Sequence, residues 1–263
     1  MIRARYCVLN GISLAIYLLM SHIVLADDIS LRTDYWCPYS CEEGSDKKGV
    51  LIDIVEYIFN RKGHTLNYRL VPWKRAIAKT RSGEFNGIIG AFHNDAPDFI
   101  FHQEPLAYSV NVFFIHYENK WQYTGLESLA QIRLGAALGY SYGVKLDKYI
   151  ENNKGKIYLA SGETPIVDLV RLLMFKRIEV VIENRWVMEH YLKKLNNPIK
   201  ILEAGISSYD PVYVGFSPVN PLSYQYANEI DQELVKMKRD GTWMKILNFY
   251  GLLPNKLTKL KAH

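Results

Sequence analysis

The sequence predicts an α/β fold built as two similar lobes with a ligand between them. Three observations carry this. Residues 72–92 read as a short amphipathic helix, a glycine stop and an apolar strand. The same order recurs in residues 163–184, roughly ninety residues later. Between and around these units, apolar strand patterns alternate with helical ones, the order expected of a largely parallel sheet flanked by helices.

The first 26 residues are expected to be an export signal and not fold. Arg3 and Arg5 supply the positive start, residues 12–25 are mostly apolar, and Val24 and Ala26 place small side chains at the −3 and −1 positions before Asp27. A retained membrane anchor is the alternative, but the apolar stretch contains Ser13, Ser21 and His22 and is short for a span. Arg3 and Arg5 are not adjacent, and Cys7 precedes the apolar stretch, so neither a twin-arginine signal nor a lipidated cysteine is expected. Cleavage after Ala26 removes two arginines and no acid, leaving 237 residues with 30 basic and 27 acidic side chains, a net charge of +3. That balance is too mild for nucleic acid as a partner. No further long apolar run or low-complexity linker follows, which argues against a membrane receptor or a multidomain kinase on this chain.

Of the three cysteines, Cys37 and Cys41 remain after cleavage, and an oxidising compartment favours their pairing as a local staple. The other reading is a redox site, since Trp36-Cys37-Pro38-Tyr39 is like the start of a glutaredoxin motif. The spacing here is C-x3-C instead of C-x2-C, which weighs against it.

Taken in order, residues 29–33 alternate as a first strand and run into an aromatic loop, Tyr35-Trp36-Cys37-Pro38-Tyr39. Residues 50–61 carry apolar side chains at helical spacing and stop near Gly63. A strand over 66–71 follows, then Pro72 opens a helix over 73–81, proline being tolerated in a first turn. Residues 87–91 are a nearly unbroken apolar strand, as expected when both sheet faces are covered. Residues 110–116 are a candidate crossing strand out of the first lobe. The second lobe is expected over elements at 133–136, 141–152, 157–159, 163–176, 178–182, 184–195 and 199–202, with 212–216 carrying the chain back. Helices over 221–238 and 242–250 end the fold, and the basic tail after Pro254 is expected to fray. Two crossings make the first lobe discontinuous, residues 27–112 with 215–263, and the second lobe residues 113–214.

Several segments, in this order and spacing, resemble the family-3 solute-binding proteins of bacterial uptake systems. They are Gly49-Val50-Leu51-Ile52-Asp53-Ile54, Pro72-Trp73-Lys74-Arg75, Ser82-Gly83-Glu84-Phe85-Asn86-Gly87, Glu104-Pro105-Leu106-Ala107-Tyr108, Gly139-Tyr140-Ser141-Tyr142-Gly143 and Asp240-Gly241-Thr242-Trp243. The resemblance covers nearly all of the chain after the signal. It implies a type II periplasmic-binding-protein fold in which two α/β lobes, joined by two hinge strands, close on a small ligand. It also implies a membrane permease of an ABC transporter as partner, a monomer, a periplasmic location, and no cofactor, metal or catalytic residue. One departure matters. Members that bind amino acids usually carry a threonine and then an arginine after the third strand to hold the ligand carboxylate, and this chain has Phe92-His93-Asn94-Asp95-Ala96-Pro97-Asp98 there. Without that arginine's bidentate grip, an α-amino-acid ligand is in doubt, while the acidic residue that receives a ligand amine falls on Glu183. The pattern keeps a place for a cation and loses the usual place for a carboxylate.

Candidate ligand contacts follow from strand ends and helix starts, where open α/β sheets bind their ligands. Tyr35, Trp36 and Tyr39 offer aromatic faces to a planar or cationic ligand, or pack around the Cys37 and Cys41 staple. Trp73 and Arg75 begin a helix at the cleft edge, Arg75 being the candidate substitute for the missing carboxylate holder. Phe92 and His93 follow the third strand, and Tyr108 precedes the crossing strand, where hinge packing is the plainer role. Ser141 and Tyr142 open a helix beside Gly143, whose free N–H groups would face an anion. Glu183 is the strongest candidate, a carboxylate ending a run of Val and Ile, with Arg185 two residues on; a cap for the following helix is its plainer role. The function expected is non-catalytic capture of a small polar, amino-acid-like solute for uptake. The alternatives are a dehydratase-like enzyme, with His93, Glu104 or Glu183 as acid, and a soluble receptor for a membrane sensor.

Overall fold

The computed structural model describes residues 26–162, 164–195 and 200–252. The expected export signal up to residue 25 and the basic tail lie outside the described residues. So do the first residues of the elements expected from 163 and 199.

The first strand, β1 (Asp28–Thr33), pairs in parallel with β2 (Thr65–Leu70) on one side and β3 (Gly87–Ala91) on the other. Helix α1 (Val50–Arg61) connects β1 to β2 because its apolar residues recur every three to four positions and bury a full face, Val50, Leu51, Ile54, Val55, Ile58 and Phe59 among them. Each such side chain contributes about 1.5–3 kcal/mol of transfer free energy. Gly49 starts this helix at φ 116°, with its Cα hydrogen against the Tyr39 carbonyl; any Cβ there would collide with that backbone. The aromatic loop is thereby locked to the helix that follows it. Helix α2 (Trp73–Arg81) joins β2 to β3, burying Trp73 and Ala76 beneath it.

Two long antiparallel strands, β5 (Ala107–His116) and β9 (Ile201–Phe216), carry the chain out of this lobe and back. β9 pairs with β3 at its C-terminal end, and a two-residue strand β4 (Ile100–Phe101) flanks it there. The sequence suggested separate strands at 199–202 and 212–216, and the structure has one. Gly205, Ser207, Ser208, Asp210 and Pro211 hide it as sequence, but the backbone ladder to β5 runs from Ala107 opposite Val212 to His116 opposite Ile201. Tertiary pairing overrides weak local preference.

The second lobe repeats the plan. β8 (Val180–Asn184) pairs antiparallel with β5 and parallel with β6 (Leu134–Ala137), which pairs in parallel with β7 (Tyr158–Ala160). The helices are α3 (Val144–Asn152), α4 (Pro165–Met174) and α5 (Arg185–Lys194). The sheet order is therefore β2-β1-β3-β9-β5-β8-β6-β7, two mainly parallel lobes joined through the central pair of hinge strands. After β9, α6 (Ser223–Asp240) and α7 (Thr242–Phe249) return to pack on α1. His64, buried under α6, holds this return with ring contacts to the Asp27 backbone N–H and to the Glu229 carboxylate, 3.1 Å each. No helix among the described residues is long and apolar enough to cross a membrane.

Cys37 and Cys41 are bonded, closing the loop between β1 and α1. In the chain-entropy description, a loop this short stabilises by only about 2 kcal/mol. Reduction is expected to lower stability by no more than that and to leave the far-ultraviolet circular dichroism unchanged, measured by urea unfolding with and without a thiol reductant.

Candidate functional site

The carboxyl ends of β1, β3 and β8 converge where the lobes meet, and the loops that leave them enclose a narrow cavity of about 30 Å3 that opens to solvent. From the first lobe come Asp34, Trp36, Trp73, Gly90, Phe92 and Asp95; from the second, Tyr140, Ser141, Tyr142 and Glu183; Asn111 comes from the hinge strand β5. Gly90 sits at a bulge where β3 shifts register against β9, at φ 95°. The bulge turns Phe92 from the sheet toward the cavity, a residue type and geometry that favour glycine. Phe92 N–H is then tied to the Asp95 carboxylate at 2.8 Å, which folds the loop into a tight turn at the cavity rim.

Six of the residues expected from sequence share this wall: Trp36, Trp73, Phe92, Ser141, Tyr142 and Glu183. The other six do not line it, each for a physical reason. Tyr39 is fully buried behind Trp36, stacked on it at 4.1 Å, and donates its hydroxyl hydrogen to the Tyr108 carbonyl at 2.7 Å. Tyr108 itself stacks on Tyr209 along the hinge strands. Tyr35 faces the adjoining depression between the lobes, about 370 Å3, where Lys194 donates to its hydroxyl at 3.0 Å. His93 is held between the rings of Phe101 and Tyr213, 4.5 Å from each, in a neighbouring depression. Arg75 is exposed on α2 and is not among the residues that line the cavity. Arg185 is engaged at both ends of its guanidinium by Glu203, 2.6 Å for each contact.

At the helix start expected to face an anion, two donors are engaged within the chain. Ser141 Oγ donates to Asp147 Oδ2 at 2.6 Å and the Tyr142 N–H to Asp147 Oδ1 at 2.7 Å. A carboxylate of the chain's own thus occupies these two donors.

Sequence reasoning missed Asp34, Gly90, Asp95, Asn111 and Tyr140. Asn111 did carry a signal, an amide placed inside the apolar run of the crossing strand; it donates to Ser208 Oγ at 3.0 Å. Asp34 and Tyr140 become legible only when the lobes meet, for the Tyr140 hydroxyl donates to the Asp34 carboxylate across the cleft.

Three carboxyls therefore surround the cavity, and burial dominates their protonation. Desolvation pushes Glu183 up to about 7, and the nearby Asp34 adds to the rise. The Asn184 N–H, donating to Glu183 Oε1 at 2.7 Å, opposes it. The Trp36 indole N–H also lies near enough to oppose it, yet makes no well-formed hydrogen bond among the described residues and is a buried donor in the wall. Asp34 is pushed up to about 6 by desolvation, against the hydrogen bond from Tyr140. Asp95 is pushed up to about 7 by desolvation, with repulsion from Asp147 and Asp34. Burial holds the Tyr140 and Tyr142 phenols well above their ordinary value, so both are neutral donors or acceptors near pH 7.

No curated protein sequence matches this chain significantly. Among solved structures, a mutant of ArgBP from T. maritima superposes with a TM-score of 0.70 at 14% identity, covering 86% of this chain and 95% of that one. A histidine kinase sensor domain with similarity to periplasmic binding proteins gives 0.71 at 16% identity, covering 85% and 96%. The ancestral amino acid-binding protein AncCDT-1, a precursor of cyclohexadienyl dehydratase, gives 0.65 at 14%, covering 86% and 95%. At such identities these likenesses carry the fold alone, two lobes of the type II periplasmic-binding kind. The sequence model of the bacterial extracellular solute-binding proteins, family 3, matches residues 31–252, from the first strand to the last helix, and the chain belongs to that family.

Proposed function

We propose that this solute-binding protein is exported to the periplasm, its first 26 residues removed, and there closes on a small polar solute for delivery to the permease of an ABC-type uptake system. The moving bodies are residues 27–112 with 215–263, and residues 113–214. The observation that supports this best is the shared cavity wall: the first lobe supplies Asp34, Trp36 and Phe92, the second Tyr140, Tyr142 and Glu183, so a solute held there contacts both. A ligand with contacts to both lobes favours the closed arrangement by its differential affinity for it.

The test is a thermal-shift screen of amino acids, amines, small carboxylates and sugars. A ligand at a hundredfold over its Kd adds about 2.7 kcal/mol, a rise of roughly 5–10 °C for a chain this size. A true solute is also expected to reduce the radius of gyration in X-ray scattering. No melting shift and no compaction with any class would remove the proposal.

The likeness to a kinase sensor domain favours a second reading, in which the occupied protein engages a membrane sensor instead of a permease. Co-purification of the detergent-solubilised partner distinguishes the two. The burial that pushes Glu183 up to about 7 favours a third, a dehydratase-like lyase in which Glu183 exchanges a proton as general acid. NMR observation of the solute during incubation tests it, since a binder leaves the solute intact.

A further inference from the structure

We infer that the solute is a small organic cation, bearing a protonated amine or guanidinium, that lacks a carboxylate. This rests on the solute-binding reading and narrows it. Of the eleven residues around the cavity, three are carboxylic acids and five are aromatic, and none is Lys, Arg or His. The basic and helix-start groups expected to hold a ligand carboxylate are spent or elsewhere: Arg185 on Glu203, the Tyr142 N–H and the Ser141 hydroxyl on Asp147, and Arg75 out on the surface. A ligand carboxylate would enter a cavity already facing Asp34, Asp95 and Glu183, and in a low-dielectric site that repulsion is severe.

A cation meets the opposite surroundings. Glu183 is 2% exposed and lines the cavity, and the Asn184 N–H engages its Oε1. Beside it stand the rings of Trp36, Phe92 and Tyr140, the faces that attract ammonium and guanidinium groups. The Trp36 N–H, on a residue 8% exposed, is a buried donor in the same wall with no acceptor among the described residues, and it suits an uncharged acceptor atom elsewhere on the same solute. A metal ion fits less well, because among the described residues no group of three or more His, Cys, Asp or Glu side chains is arranged to hold one.

The experiment is titration calorimetry at pH 8 with matched pairs that differ by one carboxylate: agmatine against arginine, putrescine against ornithine, cadaverine against lysine, with a sugar panel and glutarate alongside. At least one amine is expected to bind, and at least tenfold more tightly than its amino acid. In the Glu183→Gln variant the same amine is expected to lose at least tenfold in affinity. The bound amine is also expected to displace protons at pH 6.5, read as a heat that varies with the ionisation enthalpy of the buffer. An amino acid binding as tightly as its amine, a sugar or glutarate binding where no amine does, or amine binding unmoved in Glu183→Gln, would each overturn this inference while leaving solute capture standing. Absence of binding by every class would overturn both.

Discussion

Replacing Glu183 with glutamine is expected to make the ligand-free protein more stable above pH 7, by about 1–3 kcal/mol, and to change stability little at pH 5. The carboxyl is almost wholly buried at the end of β8, facing Asp34, Trp36, Tyr140 and Tyr142, with no basic side chain in the cavity wall. Its value of about 7 in the folded protein lies above the ordinary 4.5, so the folded state holds this proton more tightly than the unfolded chain does. The stability so gained is fully present below about pH 4.5 and is lost as pH rises through 7. A glutamine keeps the Oε1 acceptor for the Asn184 N–H and removes the charge, so it escapes that loss. The upper end, about 3 kcal/mol, is the full difference between the two pKa values at 1.36 kcal/mol per unit, and the amide's own need for partners reduces it. Urea unfolding of both proteins at pH 5 and pH 8 measures this. Some dependence remains in the variant, since Asp34 and Asp95 titrate over the same range. A variant less stable than the parent at pH 8 would show that the fold itself requires the anion. Stability rising while affinity falls is the mark of a residue kept for its ligand, at a position where the fold alone would prefer a neutral side chain.

Asn184→Ala is expected to cost roughly 3 kcal/mol, a large loss for a polar truncation. Asn184 is fully buried and uses both ends of its amide. Its Oδ1 accepts from the Trp186 and Val187 N–H groups, 2.9 and 3.2 Å, and so caps α5. Its Nδ2 donates to Ser109 Oγ on β5 at 2.8 Å and to the Tyr39 hydroxyl of the first lobe at 3.2 Å. About 1 kcal/mol of the loss is the cap, and about 1–3 kcal/mol the partners left unpaired in the interior. The melting temperature is expected to fall by roughly 6–12 °C. Asn153→Ala, which removes one half-buried contact to the Tyr149 carbonyl, is the control and is expected to stay within about 1 kcal/mol. Asn184→Asp keeps the cap oxygens but withdraws the donation to Ser109 and Tyr39, so a loss close to that of alanine would assign the effect to the hinge contacts. Equal, small losses for Asn184→Ala and Asn153→Ala would show that the network carries no stability.

Much of the fold was legible in the chain because it depends on local periodicity. The seven-residue apolar face of α1, the unbroken Gly87–Ala91 strand and the proline and glycine stops around α2 specify themselves. Glu183 was legible for a related reason: a carboxyl after Val180, Val181 and Ile182 is anomalous in any burial pattern. What the chain could not reveal was who meets whom. Arg75 and Arg185 are equally basic as letters, yet one lies on an exposed helix face and the other is neutralised by Glu203, eighteen residues on along β9. Asp34 and Tyr140 are unremarkable until hinge strands bring residues 106 positions apart into one hydrogen bond. The sequence determined the two lobes and their strand ends, since hydrophobic spacing and turn chemistry act over a few residues. Only the tertiary structure decided that three carboxyls and five rings enclose one space with no cation of the protein's own, because desolvation and pairing depend on neighbours that chain order does not encode.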